Sequence, residues 1–474
     1  MFEHLKRIAT LAWPVLIGQL AIIAFGVLDT AMVGRYSALD LASLGLGNSI
    51  FISVYLGLSG ILIALMPIAG HLFGAGRADE IGHEVRQALW LAAGLSVIGV
   101  AVLAWPNALL RLADAPPELA GRTAAYLRIL AIGVPAGLVF RVFNSLSTAI
   151  SRPRMVMTLQ LVDLAIKVPL NTWFIFGGFG VPALGGPGSA LATTLINYGS
   201  AALGLYLIAR HAEYRALGVF ERFCWPQIKH QIALLKLGVP MGLSYLIEVT
   251  SYTFMAIFIT HFGTRVLAGH QIAANLGAVL YMTPLSIGIA TSTLVSQKLG
   301  AREPVQARAL GLHGIQLAGV MAVVLTTLVL TLRRQIVSAY TPDASVIAAA
   351  LPLVTIVAFY HLFDAIQCST AFALRGYKIT TVPTIIYAVA LWGVGLGGGY
   401  VLGFNVPGTL PAFFTGARGF WFANLASLAI AAVALLVYWL RISHPAHRYA
   451  SGHPSLQSAE PHVAEPHVAE RHVD

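Results

Sequence analysis

Twelve long apolar stretches dominate this chain, and they leave one way to fold. They run roughly over 11–33, 45–73, 88–112, 124–150, 156–179, 187–209, 233–258, 266–298, 309–332, 345–373, 380–403 and 414–440. Each reaches the length of about 20 residues that a helix needs to cross a bilayer core. Hydrocarbon offers no partner to an unpaired backbone group, so each stretch must satisfy its own backbone as a helix. The rest of the composition agrees. Only 10% of the 474 residues are charged, against about 25% in an ordinary soluble chain. An all-α polytopic membrane protein with twelve transmembrane helices is expected.

The formal charge of +10 is explained by where the charges fall. An even number of crossings puts both termini on one side, and that side collects 19 Lys and Arg residues. The other side has seven: Arg35, Arg111, Arg122, Arg265, Arg333, Arg334 and Arg418. Such a bias marks the cytoplasmic face, so both termini are expected there. No nucleic-acid partner is needed to account for it. Lys6 and Arg7 precede the first apolar run as in a signal peptide, but the run continues to Val33, which reads as an uncleaved first helix. Two cysteines, Cys224 and Cys368, offer no disulfide framework.

The longest basic connection, 210–231, divides the helices six and six. This gives a lobe over 1–209, a linker over 210–231, a second lobe over 232–442 and a tail over 443–474. The lobes resemble each other at a constant offset of 226 residues: Pro14 meets Pro240, Leu20 meets Leu246, and Gly74–Ala75 meets Gly300–Ala301. Later, Ser147–Thr148–Ala149 with Arg152 echoes Ser369–Thr370–Ala371 with Arg375. Parallel repeats of this kind place a substrate route between the two lobes. The tail repeats AEPHV, carries His462, His467 and His472, and reads as disordered.

Carboxylates inside apolar stretches are the chemical signal. An acid at membrane depth costs roughly 2.5–3.5 kcal/mol on insertion scales, and is by default functional. Glu248 lies in SYLIEVTSY, where Ser244, Tyr245, Ser251 and Tyr252 share its helical face. Asp364 lies in AFYHLFDAIQCST, flanked by Tyr360, His361, Gln367 and Cys368. Gln271 and Asn275 stand one turn apart in the eighth stretch. Two carboxylates with hydroxyls and carboxamides form a hard-oxygen site that suits Na⁺ or H⁺ rather than zinc. In the first lobe, Asp29 ends the first stretch, and Asp163 and Lys167, four apart, are expected to neutralise each other, with Asn171 on the same face.

Other motifs carry little. GVPALGGPGS over 180–189 lacks the GKS/T ending of a phosphate loop. His361 and Asp364 have no nucleophile or metal triad beside them, so no enzyme is expected and no cofactor is implied.

Several segments together are specific. LDTAMVGRYSALDLASLGLGNSIF, SYLIEVTSY, GHQIAAN, PLSIGIATSTLVSQKLGA and YHLFDAIQ resemble the MATE (multidrug and toxic compound extrusion) transporters over residues 10 to about 440. Glu248 points to the NorM-type branch. The resemblance implies a twelve-helix antiporter of a bacterial inner membrane, a monomer among membrane lipids, exporting amphipathic, often cationic drugs against Na⁺ or H⁺. It implies a cation site at Glu248 and Asp364 with Tyr360, binding the metal itself if the ion is Na⁺. Substrate contacts fall on Asp29, Asn171, Tyr252, Gln271, Asn275 and Asp343. The competing function is a flippase for a lipid-linked or polysaccharide precursor, whose cavity would hold several basic residues. Here only Lys167 and Arg141 are of that kind.

Overall fold

The protein, seen in a computed structural model, is described over residues 1–112, 116–178 and 180–444. The tail from 445, with its three histidines, lies outside the described residues. Twelve helices are long and apolar enough to span a membrane. They are α1 (Phe2–Tyr36), α2 (Ala38–Gly74), α3 (Ala78–Ala104), α4 (Pro117–Ala149), α5 (Pro153–Phe176) and α6 (Gly186–Arg210), then α7 (Ile228–Phe262), α8 (Thr264–Gly300), α9 (Pro304–Tyr340), α10 (Ala344–Gly376), α11 (Thr381–Gly403) and α12 (Gly416–Ile442).

Several helices outrun the apolar stretches that announced them. The 37 residues of α8 or α9 extend about 55 Å, well beyond a core of about 30 Å. A helix that continues past the apolar core no longer needs apolar patterning to continue. The 88–112 stretch overshoots most: α3 stops at Ala104, ahead of Pro106, and Asn107–Leu112 form a separate short helix. Within α2 a turn at Ile63–Ala64 separates two helical pieces. The glycine-rich middle of α11, Ala388–Gly397, is wound as a π-helix.

Two lobes follow from the packing. In the first, α4 packs on α2, α3 and α6, while α1 packs on α5. In the second, α10 packs on α8, α9 and α12, while α7 packs on α11. Every pairing in one lobe thus has its counterpart six helices on. Across the boundary, α2 meets α7, α1 meets α8, and the second half of α2 meets α8.

The boundary contacts gather in the half of the molecule that carries the termini. Ile8 and Ala12 of α1 share an apolar cluster with Ile287, Leu294 and Leu299 of α8. His71 Nε2 lies 2.9 Å from the Gly376 carbonyl oxygen. Gln297 Nε2 donates to the Ala149 carbonyl at 2.7 Å and to the Ser151 hydroxyl at 2.8 Å. His4 and His313 meet through their Nδ1 atoms at 3.1 Å. A Cβ on Gly74 would strike the Gln297 backbone, and one on Gly300 would strike the His71 backbone. His71 and Gln297 are themselves related by the offset of 226, so two symmetric backbone approaches join the lobes at this end. Among the described residues, no hydrogen bond joins the lobes in the opposite half.

The linker is anchored to the first lobe. Arg86 Nη1 donates to the carbonyls of Gly218 (2.7 Å) and Val219 (2.9 Å), and Trp90 Nε1 donates to that of Cys224 (2.9 Å). Both cysteines are free.

Candidate functional site

Facing walls of the second lobe bring the two acids together. α7 carries Glu248 and α10 carries Asp364, and the two carboxylates lie within electrostatic reach of each other. Glu248 is half-buried, and among the described residues its carboxylate has no hydrogen-bond or ion-pair partner. Asp364 is 3% exposed and accepts a hydrogen bond from Gln367 Nε2 at 3.0 Å. The carboxamide beside the acid is thus the one on its own helix. Gln271 and Asn275 are exposed on α8 and make no hydrogen bond to either carboxylate.

Aromatic side chains bridge the two helices. The hydroxyls of Tyr252 on α7 and Tyr360 on α10 are hydrogen-bonded to each other. The Trp421 ring of α12 stands edge-on to both, at 6.3 Å from Tyr252 and 5.8 Å from Tyr360. Trp421 is fully buried, and sequence reasoning missed it, since a tryptophan in an apolar stretch carries no pattern to mark it. Tyr245 and Tyr252, at i−3 and i+4, lie on the Glu248 face, as the helical spacing requires.

Among the described residues, no three His, Cys, Asp or Glu side chains converge on one point. A cation here would therefore complete its shell with neutral oxygens: the Tyr252 and Tyr360 hydroxyls, the Gln367 amide, or water. Hard oxygen ligands of this kind suit Na⁺, and a carboxylate alone accepts H⁺.

In the first lobe the structure corrects the expected pairing. Lys167 does not neutralise Asp163. Its ammonium lies 3.0 Å from the Asp29 carboxylate, 3.2 Å from the Ser189 carbonyl and 2.5 Å from the Thr193 hydroxyl, and 4.2 Å from the Phe25 ring centroid. Helical spacing put Asp163 and Lys167 on one face, but the long lysine stem carries the charge inward to α1 and α6 instead. Asp163 accepts from Ser200 at 2.6 Å. Asn171 Nδ2 donates to Asp29 at 2.7 Å. Asp29 is thus buried and engaged.

Asp343 is the N-cap of α10 and accepts from the Ser345 backbone N–H at 2.8 Å and its hydroxyl at 2.7 Å. Those hydrogen bonds hold its carboxyl below the usual carboxylate range. It stands exposed at the start of α10, 21 residues before Asp364 on the same helix.

Arg375 was expected in a basic loop. It lies within α10 instead, 6% exposed, with Nη1 at 3.4 Å from the Tyr245 hydroxyl. No carboxylate forms an ion pair with it among the described residues.

Twelve membrane-spanning helices in two pseudosymmetric six-helix lobes, with an acid on α7 that has no partner among the described residues, define a polytopic membrane protein. The chain belongs to the MatE family, whose sequence profile matches residues 14–173 and again 240–401. The two matches begin 226 residues apart, the offset of the internal repeat. It is 40% identical over 429 residues to a probable multidrug resistance protein NorM of Aromatoleum aromaticum, covering 90% of this chain and 92% of that one. With the multidrug resistance protein PmpM of Pseudomonas aeruginosa it shares 37% identity over 462 residues, 97% of this chain and 96% of the other. Among solved structures, the eukaryotic MATE transporter AtDTX14 superposes with a TM-score of 0.82 at 17% identity, over 93% of this chain and 96% of that one. The family is one of transporters, and the chain is not an enzyme.

Proposed function

We propose that this protein is a cation-coupled multidrug efflux antiporter, exporting amphipathic and often cationic compounds across a bacterial inner membrane with both termini in the cytoplasm. The relatives' names as multidrug resistance proteins support the cargo class. The observation that carries the coupling is Glu248: a half-buried carboxylate without an intramolecular partner, beside Asp364. A carboxylate out of bulk water is stable only with a proton or a cation. Glu248, Asp364 and Tyr360 form that cation site, with Na⁺ or H⁺ as the ion and Tyr252 beside it. Gln271 and Asn275 line the cargo path on α8.

The lobes over 1–209 and 232–442 rock about their boundary, joined by 210–231. The lobe contacts at the terminus-bearing end support a state closed toward the cytoplasm, in which the acids face an incoming cation from outside. Binding there weakens the hold on cargo. After the switch, cargo arriving from inside displaces the cation. Each ligand lowers the other's affinity by the same coupling energy, about 1–3 kcal/mol in typical cases.

The test is ethidium efflux from proteoliposomes under separately imposed sodium and pH gradients. Glu248→Gln is expected to abolish gradient-driven efflux while leaving folded yield unchanged. Full gradient-driven efflux by that variant would overturn the reading.

A further inference from the structure

One buried charge has no place in this scheme. Arg375 is the penultimate residue of α10, and a guanidinium so far from solvent is costly unless opposite charge or polarisable groups surround it. Its neighbours are aromatic: Nη1 is 3.4 Å from the Tyr245 hydroxyl, and the guanidinium carbon lies 5.3 Å from the Tyr245 ring centroid and 4.2 Å from that of Phe372. Tyr281 of α8 and Tyr387 of α11 stand within its field. So does Glu248, one turn beyond Tyr245 on the same face of α7. The tyrosine bonded to the guanidinium thus lies one helical turn from the unpaired acid.

Arg375 also stands where the lobes meet. The carbonyl of Gly376, the next residue, is bonded to His71 of α2, and a Cβ on Gly60 of α2 would touch the Tyr245 ring at 3.3 Å. The residue carrying the guanidinium is thus one position from the lobe boundary.

We infer that Arg375 is a tethered counter-ion that competes with the coupling cation for Glu248, with Tyr245 holding it back. The inference rests on the reading of Glu248 as the cation site. A fixed positive charge on the boundary side of the acid lowers the affinity for an incoming cation, and so lets that cation leave once the lobes have switched. Arg375 is a tuning residue and makes no contact with cargo.

The experiment measures ethidium efflux in proteoliposomes against the concentration of whichever ion drives the wild type. Arg375→Gln removes the competitor. The cation concentration for half-maximal efflux is expected to fall about tenfold, the effect of one charge at intermediate distance and effective dielectric, with a slower maximal rate because release is impaired. Tyr245→Phe frees the guanidinium toward Glu248, and the half-maximal concentration is expected to rise. Arg375→Lys keeps the charge and is expected to stay near the wild-type value. Opposite shifts in the first two variants are not produced by general loosening of the fold.

Unchanged half-maximal concentrations in Arg375→Gln and Tyr245→Phe would overturn the inference. If Arg375→Gln does not fold, Tyr245→Phe decides alone: a rise supports the inference and no change overturns it. Failure of the underlying reading is distinct, because it appears as coupled efflux in Glu248→Gln.

Discussion

The Lys167 ammonium of α5 sits 3.0 Å from the Asp29 carboxylate of α1, with the lysine side chain wholly removed from solvent. An internal cation therefore already occupies the acid of the first lobe, while Glu248 in the second has none. The two lobes share a scaffold and differ in how their acids are neutralised.

Removing the ammonium alone leaves a buried charge unmatched. Lys167→Met is expected to destabilise the protein by about 3–5 kcal/mol, the usual cost of breaking a buried pair from one side. Lys167→Met with Asp29→Asn is expected to recover most of it. Thermal unfolding in detergent of both single variants and the double variant measures the coupling. Additive losses would mean that the pair does not interact.

The Tyr252–Tyr360 bridge is a second coupled pair. Either Tyr→Phe change strands one hydroxyl and is expected to cost about 1–3 kcal/mol. The double change is expected to cost less than the sum, because no hydroxyl is then left without a partner. If the hydroxyls also bind the coupling cation, the double variant should need more of that cation for half-maximal efflux.

At the lobe boundary, Gly74→Leu or Gly300→Leu drives a side chain into backbone. A cysteine placed at Thr293, buried just beneath, is expected to be labelled by an impermeant maleimide from the terminus-bearing side in either variant. In the parent, with Cys224 and Cys368 replaced, it is expected to stay protected. Equal protection would mean that the close approach is not what closes this end.

Asp343 separates capping from cargo contact. Asp343→Ala removes the N-cap of α10 and is expected to lower stability by about 0.5–2 kcal/mol. Asp343→Asn keeps an acceptor and is expected to retain most of that stability. Efflux with unchanged half-saturation in both identifies a cap; a raised half-saturation in both, with normal melting, identifies a cargo contact.

Much of this was legible in the chain itself. Twelve helices followed from apolar length, and Glu248, Asp364 and their tyrosines followed from helical spacing, because both are local properties. Partners across helices were not. The lysine at position 167 has an acid four residues away on its own helix, and nothing in spacing says that its long stem reaches Asp29 instead. Arg375 lies at the edge of an apolar stretch beside Lys378, and only the fold distinguishes a buried guanidinium from one in a solvated loop. Gln271 and Asn275 share a helix turn with each other, yet that says nothing of which way the turn faces.

Because main chain closes on main chain at Gly74–Gln297 and Gly300–His71, neither glycine has a smaller residue to retreat to, and any change in how closely the lobes meet at this end must come from the side chains around those two points.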